Sequence, residues 1–200
     1  MKTLLQINSS LHSSEGQSSA LAAEFAERWL RANPDGRVVV RDLAATPPAH
    51  LTAERFKAFQ VPPAERTDEQ KAFVAESDEL IAELRDADAV AIGLPMYNFG
   101  IPSTLKAWID QVARAGQTFK YTDRGPVGLL ADRPVWLFAA RGGFYRNTPR
   151  DTQSAYITHF LNFIGIRTIE FVYAEGLATG VDARNQSLHN ARENIERLAA

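Results

Sequence analysis

The stretch AVAIGLPMYNFGIP, residues 89–102, decides the fold. Its first six residues form a short apolar run of the kind that a parallel sheet buries on both faces. The chain then breaks into Pro95, Met96, Tyr97, Asn98, Phe99, Gly100 and Pro102. Two prolines bracket this segment and fix φ twice, so it is stiff before any ligand arrives. A rigid turn carrying aromatic and amide groups suits a flat heteroaromatic ring. The aromatic faces stack on it, and backbone N–H and C=O groups pair with its edges.

Outward from this strand, TLLQIN (3–8), RVVVRDL (37–43), PVWLFAA (134–140) and IRTIEFVYAEG (166–176) read as further buried strands. Amphipathic spacing predicts helices over 17–32, 67–85, 103–113, 151–164 and 181–198, with a short one near 52–59 inside a proline-rich segment. Thr67 or Asp68 and Ser103 are the expected N-caps, and Gly165 the expected C-cap. Five strands alternating with helices specify an α/β chain: a doubly wound, five-stranded parallel sheet with helices on both faces. No linker, repeat or low-complexity tract interrupts it, so one domain over 1–200 is expected.

Composition narrows the function. A hydrophobic fraction of 45% predicts an ordinary core, and a net charge of −2 gives no reason to expect nucleic acid or an anionic membrane as partner. The absence of cysteine excludes disulfides, thiolate metal sites and cysteine nucleophiles. His12, His50, His159 and His189 lie far apart without metal-ligand spacing, so no metal is expected. The apolar residues of MKTLLQIN are too few for a secretory signal, and no run reaches membrane-spanning length. A cytoplasmic protein is expected.

Ligands of open parallel sheets sit beyond the carboxyl ends of the strands, where strand order reverses. Three loops there carry chemistry. NSSLHSSEGQSSA (8–20) holds six serines and opens a helix; hydroxyls and free N–H groups at a helix N-terminus bind anions. It matches neither common nucleotide loop and has no lysine, which points to a monophosphate. The second loop is the 95–102 turn. The third, AARGGFYRNTP (139–149), has adjacent glycines that admit close backbone approach and an arginine able to face an electron-rich ring. A phosphate site after the first strand and ring-contacting loops after the third and fourth together describe a flavin mononucleotide (FMN) site of flavodoxin-like type.

The motifs PMYNFGIPSTLKAW (95–108), ARAGQTFKYTDRGPVGL (113–129), RGG (141–143), FLNFIGI (160–166) and AEG (174–176) resemble those of the FMN-dependent NADH azoreductases, also called NADH:quinone oxidoreductases. The resemblance runs through essentially the whole chain. It implies that Ser10, Gly16, Gln17 and Ser18 bind the FMN phosphate, and that Met96, Tyr97, Asn98, Phe99, Ala140, Arg141, Gly142 and Gly143 line the ring. Phe99, Tyr121 and Phe163 would border the substrate. It implies NADH as electron donor, with NADPH as the alternative, and quinones or azo compounds as acceptors reduced by two-electron, ping-pong hydride transfer. It also implies a homodimer whose sites are completed across the interface, the 119–121 aromatics serving the partner's flavin. No side chain is then an obligatory acid, base or nucleophile, and Asn98 and Arg141 are the candidates to polarise ring or acceptor. Serine is frequent in the family where this chain has Gly16 and Ala140, which implies altered FMN affinity. The competing reading is a flavodoxin-type electron carrier without NADH-dependent turnover.

Overall fold

A computed structural model describes residues 1–198. Five parallel strands, β1 (Thr3–Asn8), β2 (Arg37–Asp42), β3 (Ala89–Pro95), β6 (Val135–Ala140) and β7 (Ile169–Ala174), lie in the order β2-β1-β3-β6-β7. The helices are α1 (Gln17–Ala32), α2 (Ala53–Gln60), α3 (Asp68–Asp86), α4 (Ser103–Val112), α5 (Thr152–Ile164) and α6 (Val181–Leu198). Among the described residues no helix is long and apolar enough to cross a membrane.

Alternation along the strands builds two cores. Leu5, Ile7, Val90, Ile92, Leu94, Val135 and Leu137 face α3, α4 and α5, against Ile81, Trp108 and Leu161. Leu4, Ala89, Ala91 and Phe138 face α1 and α6, against Phe25, Trp29 and Ile195. The second face is thin at β3. A Cβ on Gly93 would stand 3.1–3.2 Å from the backbone of Ser18 and Ser19, so glycine there lets the start of α1 close on the end of β3.

The helix starts follow local chemistry. Thr67 and Gln70 form a capping box on α3, and Gly165 ends α5 in the left-handed conformation at φ 110°. Ser103 is not the cap of α4. Pro102 occupies that position, with no side-chain cap, and its carbonyl accepts from Lys106 N. The proline already holds the extended backbone that an N-cap needs, which places Ser103 inside the first turn.

One element has no counterpart in the expected strands. The segment 113–129 contains an antiparallel hairpin, β4 (Phe119–Thr122) with β5 (Gly125–Gly128). It seats on the far end of α5: a Cβ on Gly128 would overlap the backbone of Ile164 and Gly165, and Leu130 N donates to Ile164 O at 3.0 Å.

Candidate functional site

Because β1 leads to β2 on one side and its other neighbour is β3, strand order reverses between β1 and β3, and the crevice opens above their carboxyl ends. Ser9 and Ser10, both buried, leave β1 there. Ser9 Oγ donates to Gly93 O at 2.6 Å, which ties the two strand ends together. Ser10 Oγ accepts from His12 N at 3.2 Å and lies 3.4 Å from Tyr97 Oη. Tyr97 Oη also accepts from Leu11 N at 3.2 Å. The two predicted loops therefore close on each other.

Farther along, Ser13 sits at φ 50° and donates its hydroxyl to Asp42 at the end of β2. Burial pushes the Asp42 carboxyl up, but the Ser13 hydroxyl and the N–H groups of Ala45 and Ala44 outweigh it, and the group stays below its ordinary range. Gly16 precedes α1 and offers no side-chain cap. A Cβ there would overlap the Ser10 hydroxyl, so this glycine leaves Ser10 where it is.

The first bond of α1 runs from Ala20 N to Gly16 O, so the N–H groups of Gln17, Ser18 and Ser19 have no acceptor within the helix. The hydroxyls of Ser18 and Ser19 are buried without a partner. Buried polar groups are rarely left unpaired. Unpaired hydroxyls and free N–H groups at the positive end of a helix dipole, with no acidic residue in that first turn, fit a phosphate. Ser10, Gly16, Gln17 and Ser18 are thus brought together. Ser9, at the end of β1, and Ser19, in the first turn of α1, lie beside them, and only the run of serines hinted at it.

The turn after β3 is tighter than its sequence suggests. Tyr97 N donates to Gly100 O at 3.1 Å and Gly100 N to Tyr97 O at 3.0 Å, closing a two-residue hairpin. Asn98 and Phe99 both have positive φ, 50° and 65°. That is what a type I′ turn requires, but a phenylalanine there costs about 1–2 kcal/mol. The Asn98 and Phe99 N–H groups have no partner among the described residues, and Phe99 is 51% exposed. Its ring meets Tyr145 edge-on with centroids 5.6 Å apart.

The start of α5 grips this turn from below. Thr152 Oγ1 donates to Phe99 O at 2.5 Å. Gln153 Nε2 donates to Pro95 O at 2.8 Å and to Gly100 O at 3.2 Å. Neither residue stood out in the sequence, because both lie more than fifty positions from what they hold.

Arg141 corrects an expectation. Its side chain is 0% exposed and does not face the crevice. It pairs with Asp151 at 2.9 Å and Glu175 at 3.1 Å, donates to Ser154 Oγ at 2.8 Å, and lies 5.0 Å from the centre of the Tyr173 ring. Glu175 also accepts from Tyr145 N and Arg146 N, both at 2.9 Å, and Asp151 caps α5 by accepting from Ser154 N. Burial pushes the Asp151 carboxyl up; Arg141 and Ser154 more than reverse that, holding it below its ordinary range. Enclosed by two carboxylates, the guanidinium ties the third loop to the start of α5 and the residue after β7. Ala140, Gly142 and Gly143 remain at the rim, where Ala140 O accepts from Met96 N at 3.0 Å.

Phe99, Tyr121 and Phe163 are not assembled within one chain. Tyr121 is 75% exposed on β4 and contacts Phe119, which packs on Phe163 with centroids 4.3 Å apart. This cluster sits at the end of α5 opposite Thr152, roughly 16 Å along the helix from the Phe99 contact.

Comparison with known proteins agrees with this geometry. A family model described as flavodoxin-like fold matches residues 1–199. An FMN-dependent NADH:quinone oxidoreductase of Cellvibrio japonicus is 55% identical over 200 residues, covering 100% of both chains. An FMN-dependent NADH:quinone oxidoreductase 6 of Burkholderia lata is 49% identical over 98% of each. Among solved structures, an azoreductase from Bacillus anthracis superposes with a TM-score of 0.91 at 28% identity, covering 100% of this chain and 99% of the other. A Bacillus anthracis FMN-dependent NADH-azoreductase in complex with FMN gives 0.88 at 26% identity, with full coverage of both chains.

Proposed function

From the premise that this chain belongs to the family of FMN-dependent NADH:quinone oxidoreductases, within the flavodoxin-like fold, we propose that it holds FMN in the β1–β3 crevice and passes electrons from NADH to quinones and azo compounds. The observation that carries the reading is the start of α1, where free N–H groups and unpaired buried hydroxyls lie against the end of β3. FMN bound there would supply two-electron hydride chemistry that no side chain of the protein can perform.

The residues do the rest. Ser10, Ser18 and the N–H groups of Gln17 and Ser18 hold the phosphate, with Ser9 and Ser19 completing the cradle. Met96, Tyr97, Asn98 and Phe99 meet the ring on one side, and the backbone of Ala140, Gly142 and Gly143 on the other. Asn98 is the polar side chain left to polarise ring or acceptor, since Arg141 is enclosed. Donor and acceptor share the opening beside Phe99 and occupy it in turn, which gives a ping-pong order. NADPH is the second candidate donor.

Tyr121 and Phe163 reach an acceptor from a second copy of the chain, because within one chain α5 separates them from Phe99. The functional unit is therefore a homodimer. The test is anaerobic: the purified protein should be yellow, bleach with NADH and recover its colour with a quinone or an azo dye. A flavin colour that NADH leaves unchanged would replace the enzyme with an electron carrier. A protein that takes up no FMN would remove the site.

A further inference from the structure

Two consecutive left-handed residues, one of them phenylalanine, persist only where the surroundings over-determine them. The two bonds inside the turn join Tyr97 to Gly100, and its outside contacts through the Tyr97 hydroxyl and Met96 N reach the β1 loop and β6 but not α5. Gln153 supplies the attachment to α5. It is 1% exposed, and its Nε2 donates both hydrogens, one to Pro95 O before the turn and one to Gly100 O after it. Its Oε1 is buried with no partner. A leucine of similar volume would carry no such unpaired oxygen. What the glutamine offers in return is the pair of N–H bonds spanning the ends of the turn. Thr152 adds a third, to Phe99 O. With the carbonyls of Pro95, Phe99 and Gly100 held by α5, the N–H groups of Asn98 and Phe99 point where no protein group meets them.

We infer that Gln153, seconded by Thr152, is a positioning residue that clamps the 97–100 turn in the shape the flavin ring needs. The inference rests on the FMN reading above and adds two residues to it. Its mark is a change in the bound flavin, not merely in stability.

Gln111 is a matched control. It too is fully buried, donates Nε2 to a backbone carbonyl (Ala49 O, 2.8 Å) and has an unpaired Oε1, but it lies away from the crevice. The experiment compares the wild type with Gln153→Leu, Thr152→Val and Gln111→Leu. It reads urea midpoint, FMN dissociation constant, midpoint potential and visible spectrum of the holoprotein, and amide exchange at Gly100 in the FMN-free chain. Gln153→Leu should raise the FMN dissociation constant about tenfold, the equivalent of one lost hydrogen bond. It should also shift the potential and spectrum and speed Gly100 exchange. Thr152→Val should move the same quantities less, and Gln111→Leu should change only the urea midpoint. Wild-type flavin properties in both Gln153→Leu and Thr152→Val, or equal shifts in Gln111→Leu, would overturn the clamp. A wild type that binds no FMN would overturn the functional reading instead, while Gly100 exchange would still decide whether Gln153 holds the turn.

Discussion

At Gly16 the spacing is a matter of one hydroxyl. A side chain there would displace Ser10 Oγ, which faces Tyr97 Oη, so Gly16→Ser should weaken FMN binding about tenfold, the scale of one lost polar contact. Adding Ser10→Gly to Gly16→Ser moves the hydroxyl instead of crowding it and should restore most of the affinity. Fluorescence titration of both variants measures this coupling, and an unperturbed Gly16→Ser would show that Ser10 is not part of the cradle. Asn98 needs a substitution that respects its backbone. Alanine at φ 50° would add strain of about 1 kcal/mol, whereas glycine removes the amide alone. Asn98→Gly should slow NADH-dependent bleaching several-fold, and an unchanged rate would take the amide out of the chemistry. The loops holding these residues were legible in the sequence because strand ends and turn residues mark them. The direction of Arg141 was not, since the carboxylates that enclose it are 10 and 34 residues away.

Elements in this protein are joined by charge, enclosed at Arg141 and exposed at Asp132. Arg141 connects the end of β6, the start of α5 and the residue after β7 through Asp151 and Glu175. Arg141→Met would leave two enclosed carboxylates unpaired, and breaking such a buried pair costs roughly 3–5 kcal/mol. Urea denaturation at neutral pH should show that loss. Arg141 holds the Asp151 carboxyl below its ordinary range, so the difference from wild type should shrink in acid as that carboxyl protonates. Asp132 joins the entrance of β6 to that of β7 by accepting from the N–H groups of Arg167 and Thr168 and the Thr168 hydroxyl. These bonds hold its carboxyl at about 2, against an ordinary value of 3.8. A carboxyl depressed by folding stabilises the protein above its unfolded value, and that contribution fades as pH falls from about 4 toward about 2. Asp132→Asn should flatten this part of the acid unfolding curve; a curve as steep as the wild type's would assign acid lability to other carboxylates. Elements with a clear period were readable from sequence, down to the ends of α1 and α6. The β4–β5 hairpin was not: its strands are four residues each, and GPVG carries a proline and two glycines.

Assembly can be tested through the separation along α5. In a dimer with shared sites, a chain lacking the Tyr121 and Phe163 side chains keeps its cradle, while a chain whose cradle is abolished by bulky substitution of Gly16 and Ser18 together keeps its aromatics. Either alone should be impaired. After exchange of subunits, half the dimers are mixed and each mixed dimer has one intact site, so activity should recover to about a quarter of wild type. No recovery, with exchange verified, would place each site within one chain. Sequence reading reached the doubly wound parallel sheet and the loops beyond its carboxyl ends, and the family resemblance gave the 119–121 aromatics to the partner's flavin. The distance along α5 between Phe163 and the Phe99 turn was not legible in it, because only the fold sets that separation.

That distance also divides the labour of adaptation. The hairpin 119–128 docks on α5 through its last glycine and takes no part in the cradle or the turn. On the proposed reading, lysines, aromatics and loop lengths can vary at its exposed face without disturbing cofactor retention, which belongs to the carboxyl ends of β1 and β3. A library confined to the hairpin should yield variants that stay yellow while their choice of oxidant drifts. A hairpin library that drifts in acceptor while staying yellow would mean that new acceptors can be tried by mutation without first giving up the flavin.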